Sequence, residues 1–194
     1  MAHPQTKPAD RYTYGDYLGW PEGERWELID GVPYDMTPAP SRRHQQLVTQ
    51  LAVPIGAYLE GKPCELYFAP FDVRLPSGTE ADEEVETVVQ PDLVVVCDPA
   101  KLDDRGCRGA PDWVIEILSP STAARDHIEK RALYEKHGVR EYWLAHPTDQ
   151  LVMVYRRDES GRYGAPAVYA AEHQVPVGIF EDLTVDLKRV FAGA

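Results

Sequence analysis

Two short apolar runs, each beside a single acidic residue, constrain the fold more than any other feature of this sequence. Asp92 precedes the run Leu-Val-Val-Val-Cys97, and Glu116 lies inside the run Trp-Val-Ile-Glu-Ile-Leu118. Runs of this length without polar alternation are typical of strands that are buried on both faces of a sheet. An ionised carboxylate in such a strand is costly unless a cation or a hydrogen-bond donor compensates it. The two acids are therefore candidate site residues.

A helix and a third strand follow the second apolar run and predict the local topology. Ser121 or Thr122 is a suitable N-cap for a helix that ends at Gly138. A strand at 141–145 comes next, so we expect a right-handed parallel crossover between the two strands. Three apolar residues are expected to share one face of this helix: Ala124, Ile128 and Ala132.

The rest of the chain predicts a hairpin, a long helix and further strands. Asp30-Gly31 separates two strand-like runs, and both residues tolerate the positive φ of a two-residue hairpin turn. Pro54 is expected to kink or break the long helix. The segment 183–191 either closes the sheet or adds a terminal helix. The predicted elements are a short helix capped by Thr13 and running through Leu18, a hairpin over 26–36, a helix from Ser41 to about Glu60, and strands over 66–75, 151–156 and 163–170.

Length and composition predict a single domain over residues 11–194, preceded by a flexible tail over residues 1–10. With 194 residues, of which 43% are hydrophobic, the chain can bury one substantial core. It contains no apolar run of roughly 18 residues and no signal-peptide pattern, so we expect a soluble, cytoplasmic protein without membrane contact. The cysteines at 64, 97 and 107 are odd in number and not spaced as Cys-x-x-Cys. They are expected to be small core or loop residues rather than disulfide partners or zinc ligands.

The formal net charge of −12 argues against strong nonspecific binding to DNA, because phosphate-binding surfaces usually carry a basic excess. Part of the acidic excess lies in residues 80–86, which we assign to a solvated loop. A nucleic-acid cleft in this chain would need clustered basic residues or a metal ion. The candidate basic residues are Arg42, Arg43, Arg125, Lys130 and Arg131.

An ordered set of motifs runs through most of the chain. It consists of Trp26 to Gly31, His44, Pro91-Asp92, Glu116, Ser119 to Thr122, a helix with Asp126 and Lys130, and Glu141-Tyr-Trp143. This order resembles the Uma-type endonucleases, a bacterial family in the PD-(D/E)XK, or restriction-endonuclease-like, superfamily. The resemblance covers residues 14–190. It implies an α/β restriction-endonuclease-like fold, with a mixed β-sheet flanked by helices and an N-terminal β-hairpin.

The resemblance also implies metal-dependent hydrolysis of DNA phosphodiester bonds. Mg²⁺ or Mn²⁺ would be held by Asp92, Glu116 and the main-chain carbonyl of Ile117, since hard cations prefer oxygen ligands. Such an ion activates water and neutralises charge on the phosphate. The alternative interpretation is two unrelated acids at strand ends, one of them paired with an arginine.

The superfamily usually has a lysine two residues after the second acid, and here that position is Leu118. Lys130 is the candidate catalytic replacement, which could orient water or stabilise developing charge. Alternatively, Lys130 and Asp126 form an ordinary i, i+4 surface pair. Glu27 is either an additional catalytic carboxylate or a solvent-facing strand residue. His44, in the first turn of a helix, is a candidate to support the site or contact phosphate rather than a metal ligand.

Two function classes remain open at this level, a DNA endonuclease and a non-catalytic module that keeps the nuclease fold to bind protein or nucleic acid. The charge of −12 and Leu118 favour the module. Nucleotide-binding and serine-hydrolase motifs are absent from the sequence. We also consider a homodimer, because the strands are numerous for one small sheet.

Overall fold

The computed structural model describes residues 11–21, 23–36, 39–120 and 122–193. The predicted tail over residues 1–10 and the predicted cap at Ser121 therefore lie outside the described residues. Within the described ranges, no helix is both long enough and apolar enough to cross a membrane.

The chain alternates short strands with a few helices. The strands are β1 (Trp26–Ile29), β2 (Val32–Asp35), β3 (Glu65–Phe68), β4 (Val73–Arg74), β5 (Val88–Val89), β6 (Leu93–Val96), β7 (Leu102–Asp103), β8 (Gly106–Arg108), β9 (Trp113–Ile117), β10 (Glu141–His146), β11 (Leu151–Arg156), β12 (Ala167–Ala170), β13 (Gln174–Pro176) and β14 (Thr184–Asp186). The α-helices are α1 (Tyr14–Tyr17), α2 (Arg42–Leu59), α3 (Ala123–Arg125), α4 (Arg131–His137) and α5 (Leu187–Val190). A π-helical turn, Asp126–Lys130, joins α3 to α4.

Within the described residues, the strands form two six-stranded sheets and one two-stranded ribbon. The first sheet has the order β2-β1-β5-β4-β8-β7, and the second has the order β12-β11-β10-β9-β6-β3. In the second sheet β9 and β10 are parallel, while their outer neighbours are antiparallel. The expected parallel crossover and the α/β fold with a mixed sheet are confirmed. Because the strands are divided among separate sheets, their number no longer argues for a second copy of the chain.

The second sheet is covered on both faces, which explains its apolar strands. Val95 and Ile115 face a cluster formed with α2 and α5, whereas Val94 and Val114 face a cluster formed with the first sheet and α4. All four residues of β6 are buried. Leu47, Leu51, Ile55 and Leu59 recur at helical spacing and form the buried face of α2. The helix continues through Pro54, so the expected break does not occur.

Several local predictions are confirmed by backbone geometry. Asp30 and Gly31 have φ angles of 47° and 75°, as the hairpin turn requires. Thr13 caps α1 in a reciprocal arrangement with Asp16. The C-terminal segment adds the terminal helix α5, one of its two predicted alternatives, whereas β14 pairs with β13 in the separate ribbon and does not close a six-stranded sheet.

Two predicted elements differ from the structure. The strand expected over 66–75 is divided, since β3 belongs to the second sheet and β4 to the first. Pro70 lies between them and has no N–H for a sheet hydrogen bond. Ala124, Ile128 and Ala132 do share one face of the later helix, but that apolar face is exposed to solvent. The buried side of that segment instead carries Asp126 and Lys130.

The expectation of three unpaired cysteines is wrong for two of them. Cys64 and Cys97 form a disulfide with an S–S distance of 2.08 Å. β3 and β6 pair with Glu65 opposite Val96, so the next position in the register brings the two cysteines together. Their separation of 33 residues in the chain formed no recognisable motif. Cys107 is a free, buried thiol, as expected.

Candidate active site

Asp92 and Glu116 face each other across two adjacent strands. β6 and β9 pair with Leu93 opposite Ile115, so Asp92, one residue earlier, is opposite Glu116. Opposite residues of an antiparallel pair project from the same face of the sheet. The main-chain N–H of Asp92 also donates to Oε2 of Glu116 at 3.4 Å. Both acids line a cavity of about 330 Å³ at this edge of the second sheet.

Lys130 lies among three buried carboxylates. Its Nζ donates to Oε1 of Glu27 at 2.8 Å and to Oε1 of Glu116 at 2.9 Å, and it lies 3.7 Å from Oδ1 of Asp126. The Lys130 side chain is only 2% exposed. The alternative of an ordinary surface pair with Asp126 is therefore wrong. Sheet pairing and the helix together bring the two acids and the lysine to one place.

The helix after β9 presents a polar row to this interior. Asp126, Lys130 and Tyr134 follow at four-residue intervals, and the π-helical turn lies between the first two. The hydroxyl of Tyr134 donates to Oε1 of Glu116 at 2.9 Å. Tyr134 is fully buried, and sequence analysis missed its hydrogen bond. Its spacing from Lys130 was the signal that could have revealed it.

Glu27 reaches the same cluster from β1 of the first sheet and is fully buried. Its Oε1 accepts hydrogen bonds from Lys130 and from the main-chain N–H of Gln90, both at 2.8 Å. Its Oε2 has no hydrogen bond among the described residues and lies 3.8 Å from Nη1 of Arg125. The alternative of a solvent-facing Glu27 is wrong.

Two donors hold the carboxylate of Asp92. The main-chain N–H of Ile117 donates to Oδ2 at 2.7 Å, and Nε2 of His44 lies 3.1 Å from the same oxygen. This contact is a hydrogen bond when Nε2 carries the ring proton. Nδ1 of His44 is buried without a hydrogen bond among the described residues. His44 thus contacts a candidate ligand and supports the site, as one of its predicted roles required.

Burial and nearby charges both shift the pKa values of this cluster, and for Lys130 they act in opposite directions. Burial raises the pKa of Glu116 well above its ordinary value, Lys130 partly offsets this, and the nearby acids Asp126, Asp92 and Glu27 raise it further. Burial likewise raises the pKa of Asp126. Burial alone would lower the pKa of Lys130, but the surrounding carboxylates outweigh it and raise that pKa well above its ordinary value. Lys130 therefore stays charged, whereas burial favours the protonated forms of Glu116 and Asp126.

This donor set suits a hard divalent cation. Asp92, Glu116 and the main chain of Ile117 line the same cavity. Mg²⁺ is typically held by one or two carboxylates, with water and substrate phosphates completing its shell. Among the described residues, no group of three or more His, Cys, Asp or Glu side chains is arranged to hold a metal. A third ligand would therefore come from the Ile117 carbonyl, water or substrate.

Basic side chains also border the cavity. Arg43 and Arg125, two of the predicted basic residues, line it, as does Arg25, which sequence analysis missed. Arg131 instead pairs with Glu135. Arg25 gave no sequence signal because it lies outside any basic cluster.

A family model described as "Uma2: Putative restriction endonuclease" matches residues 14–188. The chain belongs to the Uma2 family. The matched range includes every member of the buried cluster, from Glu27 on β1 to Tyr134 on α4, so the resemblance noted in the sequence is confirmed. This Uma2 chain is 27% identical over 164 residues to an uncharacterized protein, slr1290, from Synechocystis sp., covering 83% of this chain and 82% of the relative.

A solved structure shares the fold of this Uma2 chain. It is a crystal structure described as a "putative nuclease" from Anabaena variabilis, with a TM-score of 0.73 and 23% sequence identity. The match covers 93% of this chain and 97% of the other. The predicted restriction-endonuclease-like fold is confirmed.

Proposed function

We propose that this protein is a Mg²⁺- or Mn²⁺-dependent endonuclease that hydrolyses phosphodiester bonds of DNA. The observation that carries the proposal is the opposed pair Asp92 and Glu116, with Nζ of Lys130 2.9 Å from Glu116, beside one cavity. Membership of a nuclease-like family supports it. When bound, the divalent ion would supply an activated water and neutralise charge on the phosphate.

The protein residues have separable roles in this proposal. Asp92, Glu116 and the Ile117 carbonyl would hold the ion, and His44 fixes the orientation of the Asp92 carboxylate. Nζ of Lys130 already donates to two carboxylates, so in this proposal Lys130 acts as a hydrogen-bond donor to an anionic oxygen. Glu27 holds Lys130 in place and is therefore a positioning residue.

The position of Lys130 also offers a replacement for the lysine that the superfamily usually has two residues after the second acid. Leu118 occupies the usual place and is buried with apolar neighbours. Lys130 reaches the second acid from the following helix and leaves the strand end apolar. This geometry supports catalysis despite the substitution at Leu118.

A nicking assay tests the proposal. Supercoiled plasmid incubated with Mg²⁺ or Mn²⁺ should be converted to open-circular and linear forms, and EDTA should prevent this. Asp92→Asn and Glu116→Gln keep the side-chain shapes and should abolish cleavage, whereas Asp98→Asn, an acid in the loop after β6, should not. Equal cleavage by the wild type and both site variants would exclude the proposal.

The second candidate is a non-catalytic binding module, which the charge of −12 favours. Calorimetric titration with Mn²⁺ separates the two functions. The endonuclease should bind Mn²⁺ and lose affinity in Asp92→Asn. Absence of binding by the wild type, together with absence of cleavage, would favour the module.

A further inference from the structure

Arginines without an ion pair concentrate at the cavity. All 14 arginines lie within the described residues, and most have a carboxylate within 4.0 Å. Among the described residues, the arginines that lack such a partner are Arg25, Arg42, Arg43 and Arg157. Two of these, Arg25 and Arg43, line the cavity that also contains Asp92 and Glu116. In so acidic a chain, guanidinium groups left unneutralised beside one cavity are available to an anionic partner from elsewhere.

We propose that Arg43 and Arg25 bind phosphate groups of the nucleic acid at this cavity. This inference rests on the proposed nuclease function and identifies how its anionic substrate is held. The carboxylates of the cavity repel phosphate, and the two guanidinium groups offset that repulsion locally. Arginine suits this task because its planar donors match two phosphate oxygens at once.

Arg43 shows the clearest unmet hydrogen-bonding capacity. It lies in the first turn of α2, directly before His44, which contacts Asp92. Its Nε is buried and has no hydrogen-bond partner among the described residues. A buried donor without a partner is destabilising, so natural proteins usually retain one only where a ligand or water satisfies it. The neighbouring cavity and the contact of His44 with a candidate metal ligand place this donor beside the proposed reaction site.

Arg25 is oriented without being neutralised. Its Nε donates to Oε1 of Gln90 at 3.2 Å, and the amide nitrogen of Gln90 is held by Tyr17 and Asp72 at 3.0 and 2.9 Å. A neutral amide fixes the guanidinium but leaves its charge uncompensated. The main chain of Gln90 also contacts Glu27, which links Arg25 to the buried cluster.

Arg125 differs from these two residues although it lines the same cavity. Its guanidinium lies over the ring of Tyr34 at 4.2 Å and is 3.8 Å from Glu27. These contacts already compensate the positive charge of Arg125. We therefore assign substrate binding to Arg25 and Arg43 and a structural contact to Arg125.

The test is DNA binding in EDTA, which separates binding from cleavage. Fluorescence anisotropy of a short labelled DNA duplex is measured over a range of salt concentrations for the wild type, Arg43→Gln and Arg25→Gln. Each variant should bind more weakly. Its salt slope, the slope of the logarithm of the binding constant against the logarithm of the salt concentration, should fall in magnitude by about 0.9 for each phosphate contact removed. Arg43→Lys should recover most of the slope because it keeps the charge.

Arg157→Gln is the matched control, because it removes the same charge from an arginine that also lacks an ion pair but does not line the cavity. It should leave the slope unchanged. If the cavity variants behave like this control, or if the wild type does not bind the duplex, the inference is overturned. If binding depends on Arg43 and Arg25 but no cleavage occurs with any metal, the inference stands and the proposed catalytic function fails.

Discussion

Nζ of Lys130 lies 2.9 Å from Oε1 of Glu116, although the two residues are 14 positions apart in the chain. The crossover from β9 through the π-helical turn returns the lysine to the strand that carries the acid. Glu27 reaches the same nitrogen from a different sheet. Lys130 is therefore the cation that contacts several buried acids. Its removal should strongly lower the stability of the folded protein.

Lys130→Met should lower the free energy of unfolding by about 3–5 kcal/mol, because it leaves buried carboxylates without their cation. Urea denaturation at neutral pH measures this change. Adding Glu27→Gln to Lys130→Met should recover part of the loss, since one uncompensated charge is removed. A loss of only a few tenths of a kcal/mol would match a surface ion pair and contradict the buried geometry.

His44→Ala should weaken Mn²⁺ binding by about tenfold or more, as expected when a group that orients a ligand is lost. The variant removes one of the two donors to Oδ2 of Asp92. Isothermal titration calorimetry measures the affinity. His127→Ala, which removes a ring that packs against His146, is the matched control. Equal Mn²⁺ affinity in both variants would argue against a positioning role for His44.

Acid should destabilise the protein partly through His137. Burial lowers the pKa of His137 in the folded protein, and Lys136 lowers it further. The unfolded chain then binds the proton more readily, so this contribution is complete above the ordinary pKa of 6.5 and decreases as the pH falls below it. One such group changes the free energy of unfolding by at most about 1.4 kcal/mol per pH unit.

His137→Gln should therefore flatten the pH dependence of the unfolding free energy between the neutral and mildly acidic ranges. Urea denaturation across that range measures it, with His173→Gln at an exposed position as the control. An unchanged slope in His137→Gln would remove His137 as a contributor.

Thiol titration should distinguish the three cysteines. Burial raises the pKa of Cys107 to about 11, so the native protein should react very slowly with an aromatic disulfide reagent at mildly alkaline pH. Denaturant alone should expose one thiol, and denaturant with reductant should expose three. Three reactive thiols in denaturant without reductant would contradict the disulfide between Cys64 and Cys97.

Local signals predicted the elements that depend on neighbouring residues. The Asp30-Gly31 turn predicted the hairpin because its positive φ angles are set by adjacent residue types. The spacing of apolar residues predicted α2, and the uninterrupted runs predicted β6 and β9. Where apolar spacing was weak, prediction failed. The helix after β9 presents Asp126 and Lys130 inward, because an ion-pair cluster and not an apolar stripe defines its buried face.

The sequence by itself determined the order of the acids and the lysine, the buried character of their strands and the family to which they belong. Only the tertiary structure decided that Glu27, Glu116 and Lys130 meet, that His44 contacts Asp92, and that Cys64 pairs with Cys97. Strand register and helix rotation are global properties, since each depends on contacts between segments far apart in the chain. A one-residue shift between β6 and β9 would place Asp92 and Glu116 on opposite faces of the sheet, so the candidate site exists only in the folded register.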